Sequence, residues 1–298
     1  MRFAFAGTAP FAELVFTGLT EAGELPCALV TNPDRPKGRH STPVSPAIKD
    51  AARARGVPVF QPPRVSEPSD VPGLLDLAPD VLVVCAYGRI VGRAIIEALQ
   101  CIVVHPSPVP RWRGAAPVER ALMAGETELG VAVLQMTEGV DEGPVGFERA
   151  VHVPRSADAG AAYQALAPVA GEGVSEVLAG IADGTVVWRP QAGPASYAAK
   201  IAAEDKVIDW SRPAQEIADQ VRALSPHIGA QTELLGKRTR IWRVAAGEGP
   251  IPPHGDGKRL ALAAGSGWVD VLELQQEGRT RMTAGEFLRG AGRALAGA

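Results

Sequence analysis

Ile102-Val103-Val104-His105-Pro106-Ser107-Pro108-Val109-Pro110-Arg111-Trp112-Arg113-Gly114-Ala115-Ala116-Pro117 is the stretch from which the fold is read. An apolar run, Ile102 to Val104, carries a histidine into a segment whose prolines and glycine forbid both a helix and an inner strand. In α/β enzymes, sites lie at the carboxyl ends of such strands. An imidazole placed there moves protons near neutral pH. A histidine after a strand also suits a purely structural role, so the rest of the chain has to decide.

Upstream, short apolar runs alternate with helical patterns. Arg2 to Ala6, Pro26 to Thr31, Val57 to Phe60, Val81 to Ala86 and Cys101 to Val104 read as strands, several apolar on both faces as buried parallel strands are. Helices are expected over Phe11 to Ala22 behind Pro10, from Ser45-Pro46 through Arg55, and over Gly92 to Leu99. This order argues for a doubly wound parallel sheet. Its first turn, Gly7-Thr8-Ala9-Pro10, lacks the three-glycine fingerprint, which disfavours a bound dinucleotide. The polar, basic stretch from Asn32 to Pro43 reads as an exposed loop, either a plain connection or a binding loop.

Downstream comes Val140-Asp141-Glu142-Gly143, then strands through Val153 and a helix from Ser156 to about Asp183. The fold class expected is α/β: a Rossmann-like parallel-sheet domain over residues 1–189, a linker over 190–206 containing Pro190, Gly193 and Pro194, and a second domain over 207–298. In that second domain a helix opens at Ser211-Arg212-Pro213 and runs to Leu224. Strand candidates at Ala230 to Leu235, Thr239 to Val244, Arg259 to Ala263 and Trp268 to Leu274 describe a small β-barrel of about five strands.

Composition narrows the function classes. The 298 residues are average in apolar and charged content and suffice for two domains. The net charge of −3 is uneven: 18 Lys and Arg face 23 Asp and Glu in residues 1–206, and 12 face 10 beyond. That difference is too small to identify nucleic acid as a partner, although Lys237, Arg238, Arg240 and Arg243 crowd four cations into seven residues. Cys27, Cys85 and Cys101 lack metal-ligand spacing and sit in or beside apolar runs, so buried free thiols are expected. No unbroken apolar run approaches a membrane span, and Met1 to Phe5 leads straight into a strand, so a soluble, cytoplasmic monomer is expected.

From end to end the chain resembles the methionyl-tRNA formyltransferases, one branch of the folate-dependent formyltransferase family. The resemblance rests on Phe5-Ala6-Gly7-Thr8 with Phe11-Ala12, Pro33-Asp34-Arg35-Pro36, Ala86-Tyr87-Gly88, His105-Pro106-Ser107, Arg111 to Pro117, Gly139-Val140-Asp141-Glu142-Gly143, Ile208-Asp209-Trp210 and Ser225-Pro226. His-Pro-Ser and Asp-x-Gly are common to all folate-dependent formyltransferases; Arg-Trp-Arg-Gly-Ala-Ala-Pro, Ile-Asp-Trp and the barrel-like tail point to the tRNA branch. The resemblance implies transfer of a formyl group from 10-formyltetrahydrofolate to the α-amine of methionine on initiator tRNA, with no metal and no nicotinamide. It implies His105 as the catalytic histidine and Asp141 as the carboxylate that orients it. It also implies Ser107, Pro108, Val109 and Pro110 as the folate-contacting segment, Arg39 as a tRNA contact, and an OB-like tRNA-binding fold for the C-terminal domain.

One position departs from the family. Val103 stands where the family has an asparagine whose amide binds the formyl oxygen in the tetrahedral state, and valine has neither donor nor acceptor. Loss of one such donor costs about 100- to 1,000-fold in turnover, roughly 3 to 4 kcal/mol. Pro108 is a milder departure, since the family's serine is followed by two leucines. Two other functions stay open at this point: formylation of a sugar amine, and binding of folate or tRNA without turnover.

Overall fold

A computed structural model of the chain describes residues 1–36, 43–252, 259–290 and 292. In chain order its elements are β1 (Phe3–Gly7), α1 (Pro10–Glu21), β2 (Ala28–Val30), β3 (Arg35–Pro36), β4 (Pro43–Val44), α2 (Ala47–Ala54), β5 (Val59–Phe60), α3 (Pro72–Leu75), β6 (Val81–Cys85), α4 (Arg93–Ala98), β7 (Gln100–His105), β8 (Arg113–Gly114), α5 (Pro117–Met123), β9 (Glu128–Gln135), β10 (Val145–His152) and α6 (Ala159–Asp183). They continue with β11 (Tyr197–Ala198), α7 (Ala214–Leu224), β12 (Ala230–Leu234), β13 (Lys237–Gly247), β14 (Leu260–Ala263), β15 (Trp268–Gln276), β16 (Met282–Thr283) and α8 (Ala284–Arg289).

The chain divides into two compact units. The first comprises residues 1–115, 128–151 and 163–198; the second comprises 116–127, 152–162 and 199–298. A seven-stranded sheet in the order β10-β9-β7-β6-β1-β2-β5 forms the first unit's centre. The five strands from β5 to β7 run parallel, and every residue of β1 and β6 is buried because both faces of these central strands are covered. The expected doubly wound parallel sheet is thus present but incomplete as a description. β9 pairs antiparallel with β7, in the register His105 to Ala132, and makes the sheet mixed. Sequence reading passed over β9 because its buried core, Leu129 to Leu134, is a continuous apolar run interrupted by Gly130 rather than an alternating pattern.

Chain direction explains where a site can form. From β1 the chain moves outward to β2 and β5, then returns to β6 and moves the other way to β7, so strand order reverses between the carboxyl ends of β1 and β6, with β7 next to β6. Gly7 ends β1 there, and a Cβ at this position would stand 2.6 Å from Ala12 Cβ and 2.8 Å from the Phe5 ring. It is needed for close packing of α1 on the strand rather than for a phosphate. Helix α6 qualifies as a membrane span by length and mean hydropathy, a point that unbroken apolar runs did not reveal. Its buried Leu166, Ala170, Val174 and Val177 recur at helical spacing, and Tyr163 meets the Phe11 ring of α1 at 5.4 Å, which is how a core helix is packed.

In the second unit β12, β13, β15 and β14 form an antiparallel sheet, extended by β16 beside β15, giving the five strands expected of a small barrel. The sheet curls around one apolar core built from Ile241, Val269, Val271 and Leu274 of its inner face with Ile217, Val221 and Leu224 of α7 and Phe287 of α8. A bulge at Ile241 to Val244 breaks the β13–β15 register. Bulges of this kind bend a strand and increase its twist.

Candidate active site

His105 is the last residue of β7 and is buried at 4% exposure. Its Nε2 lies 2.9 Å from the carbonyl oxygen of Trp112, and its Nδ1 lies 3.4 Å from Oδ2 of Asp141. A carbonyl oxygen only accepts, so Nε2 carries a proton in this arrangement. Asp141 is itself held: its Oδ2 accepts the Gly114 N–H at 2.8 Å. The backbone of Asp141 is left-handed, φ 52°, as is that of Trp112, φ 61°. Aspartate tolerates that region better than most residues; tryptophan does so rarely, and such conformations persist only where the surroundings enforce them.

Trp112 lies in a segment, Ser107 to Ala115, that is tied down by its own bonds. Ser107 is 2% exposed and its Oγ donates to the Arg111 carbonyl at 2.8 Å, closing the turn. Val109 and Pro110 are buried and Pro108 is half-buried, with Pro108 lying against Gly130 of β9. The four residues implied as the folate-contacting segment therefore wrap the His105 side of the sheet, and the Ser107 hydroxyl is already bonded within the loop. Val103 is half-buried two residues before His105, on the same side of β7, and packs against two apolar clusters, Val109, Ala132, Leu134 and Val145 in one and a larger one that includes Val84, Tyr87 and Cys101 in the other.

Residues 190–198, whose composition suggested only a linker, supply contacts that sequence reading missed. The Trp112 N–H donates to Ser196 Oγ at 2.9 Å, and the Ser196 N–H donates to the Pro110 carbonyl at 3.1 Å. β11 pairs parallel with β8, aligning Tyr197 with Arg113 and Ala198 with Gly114. Gln191 bonds to the Asp141 turn and to Arg113. Neither periodicity nor composition marks these residues, because their partners lie roughly fifty to eighty positions away.

The other singled-out residues are placed as follows. Cys27, Cys85 and Cys101 are free; burial raises all three thiols, that of Cys101 to about 12, and Cys27 is only half-buried. Lys237, Arg238 and Arg240 are exposed along β13 while Thr239 and Ile241 point inward. Arg240 stands opposite Gln231 and Gln275, and Arg238 opposite Glu233. Arg243 follows within the bulge and lies 3.4 Å from Glu273, which also pairs with Arg281. The run of four thus presents Arg238 and Arg240 on one face and a partly neutralised Arg243. Arg39 lies outside the described residues. No group of three His, Cys, Asp or Glu that could hold a metal occurs among the described residues.

The first unit thus presents a histidine facing a carboxylate at the carboxyl edge of a mixed α/β sheet, and the second unit is built on a curled antiparallel sheet. The formyl transferase family profile matches residues 1–178, and that of the formyl transferase C-terminal domain matches residues 200–292. The chain belongs to the formyl transferase family and is a formyl-group transferase. It is 40% identical to the methionyl-tRNA formyltransferase of Symbiobacterium thermophilum, covering 98% of this chain and 93% of the relative, and 39% identical to that of Thiobacillus denitrificans, covering 99% and 97%. Among solved structures it resembles HypX from Aquifex aeolicus in complex with tetrahydrofolic acid, with a TM-score of 0.68, 20% identity and coverage of 97% of this chain and 48% of HypX. That likeness extends to the fold alone.

Proposed function

We infer that this formyl-group transferase takes its formyl group from 10-formyltetrahydrofolate and delivers it to the α-amine of methionine esterified to initiator tRNA. The observation that carries the acceptor is the similarity to methionyl-tRNA formyltransferases along nearly the full length of both chains, C-terminal domain included. In the reaction the amine attacks the formyl carbon and an oxyanion develops; as it collapses, the bond from the formyl carbon to the folate nitrogen breaks, the attacking nitrogen loses a proton and the folate nitrogen gains one. We assign His105 to that proton traffic and Asp141 to holding the ring and balancing its charge; their geometry supports the assignment. Where Val103 offers no donor to the oxyanion, Nε2–H of His105, bonded to the Trp112 carbonyl in the free enzyme, is the group we assign to that contact.

Ser107, Pro108, Val109 and Pro110 are assigned to the folate side through the surface of their loop. The division of labour proposed is formyl transfer by residues 1–189, a connection over 190–206, and tRNA binding by residues 207–298 through Lys237, Arg238, Arg240 and Arg243. Arg39 is assigned to the acceptor end of the tRNA. The enzyme is proposed to act as a monomer in the cytoplasm, where charged tRNA is available; the packed stripe of α6 supports a soluble chain.

The test is an assay with purified protein, formyl donor and methionyl initiator tRNA, run beside a methionyl elongator tRNA and an amino-sugar nucleotide. Formylation of the initiator alone is expected. Faster formylation of the amino sugar would make this a sugar-amine enzyme, and binding of folate and tRNA without product at any enzyme concentration would make it a binding protein.

A further inference from the structure

We propose that Gln191 is a positioning residue for the Asp141 turn, with Arg113 as its partner; this rests on the roles given to His105 and Asp141 above. The Gln191 amide joins three separate pieces of chain. Its Nε2 donates to the carbonyl oxygens of Asp141 and Gly143, each at 2.8 Å. Its Oε1 accepts from Arg113 Nε at 3.1 Å and from Arg113 Nη2 at 2.8 Å. Carbonyl oxygens only accept and a guanidinium only donates, so the amide fits one way round. No other side chain of this length supplies both halves, since glutamate lacks the donors and lysine lacks the acceptor.

The turn held in this way needs holding. Asp141 sits at positive φ, which its surroundings must enforce. On one side Gly143 seats the turn against β9: a Cβ there would stand 1.7 Å from the Gln135 carbonyl oxygen. On the other side Gln191 grips the carbonyls of Asp141 and Gly143. Between these two supports the Asp141 carboxylate emerges toward the Gly114 N–H and His105. Arg113, with its side chain 13% exposed, reaches Glu142 Oε1 at 3.2 Å as well, and Tyr197 Oη donates to the same oxygen at 3.2 Å. The turn that carries the carboxylate is therefore held by two links, Gln191 directly on the Asp141 and Gly143 carbonyls and Arg113 through Glu142, with Gln191 and Arg113 bonded to each other. None of these groups touches His105, so the role is exerted through Asp141.

A displacement of about 1 Å in a reacting group costs on the order of 100-fold in rate. Gln191→Met, Gln191→Glu and Arg113→Met should each lower kcat by about 10- to 100-fold, while the KM values for folate and charged tRNA stay within about twofold and a melting curve shows each variant folded at the assay temperature. The double variant Gln191→Met with Arg113→Met should lose less than the product of the two single losses, because each residue is also held by the other. Unchanged kcat in Gln191→Met and Gln191→Glu, in an enzyme whose His105→Ala form is inactive, would overturn the proposal and leave the site assignment standing. Strictly additive losses would overturn it too, as would losses carried by KM. Activity surviving in His105→Ala would remove the premise, and is distinguishable because it is measured without touching Gln191.

Discussion

Replacing Val103 by asparagine should raise the rate of formyl transfer by at least about tenfold. The position is prepared in one respect: Val103 lies two residues before His105 on the same side of β7 and is only half-buried, so an amide there would border the reacting atoms. A single oxyanion donor in a finished site contributes roughly 3 kcal/mol. The cluster of Val109, Ala132, Leu134 and Val145 on which Val103 packs is apolar and offers the new amide no hydrogen bond. If about half of that energy is realised, near 1.4 kcal/mol, the rate rises about tenfold. The same apolar neighbours leave part of the amide unpaired in the free enzyme, which costs about 1 to 3 kcal/mol of stability. Single-turnover formylation of charged initiator tRNA, beside a melting curve, reads both effects. A lowered melting temperature with an unchanged rate would refute the reasoning: the amide would be in place, and another donor, such as His105 Nε2–H, would already serve the oxyanion.

His105→Ala and Asp141→Asn should abolish transfer while folate affinity, measured by equilibrium binding, stays nearly unchanged, because their proposed roles lie in the transition state. Charge removal at Arg238 and Arg240 should flatten the plot of log tRNA affinity against log salt by up to about one unit per lost phosphate contact; a protein ending near residue 189 that bound tRNA at full strength would exclude the C-terminal contribution. Arg39→Ala should reduce discrimination for initiator tRNA more than bulk tRNA affinity, as binding curves with initiator and elongator tRNA would show. The Asp34 carboxyl is held down to about 2 by the Gln61 amide, the Lys49 ammonium and the Ser45 hydroxyl, below its ordinary 3.8. Its stabilisation is therefore complete above about pH 4 and is lost as the pH falls through about 2, and Asp34→Asn should flatten the melting temperature's pH dependence across that window.

What the sequence determined by itself was whatever depends on near neighbours. Apolar runs bounded by turn formers located β1, β2, β6 and β7, because a central parallel strand is buried on both faces and must be apolar throughout. The prolines after His105 showed that the strand stops there and presents its last side chain. The resemblance in motifs added Asp141, thirty-six positions on, and the structure brings it to 3.4 Å from the imidazole. Tertiary structure alone decided the rest. The antiparallel pairing of β9 with β7 is a matter of which edge remains free once the parallel strands have assembled, and no local pattern encodes it. Gln191 and Ser196 stand in a stretch of prolines, glycine and alanines that reads as a plain connection, and they become part of the site only because the chain returns past β8. The run of Lys237, Arg238, Arg240 and Arg243 looks uniform as a string. All four are exposed, but Arg238 and Arg240 share one face of β13, Lys237 starts the strand, and the β-bulge and Glu273 set Arg243 apart as a cation that shares its charge, since the direction of a side chain on a strand is fixed by register rather than by residue type.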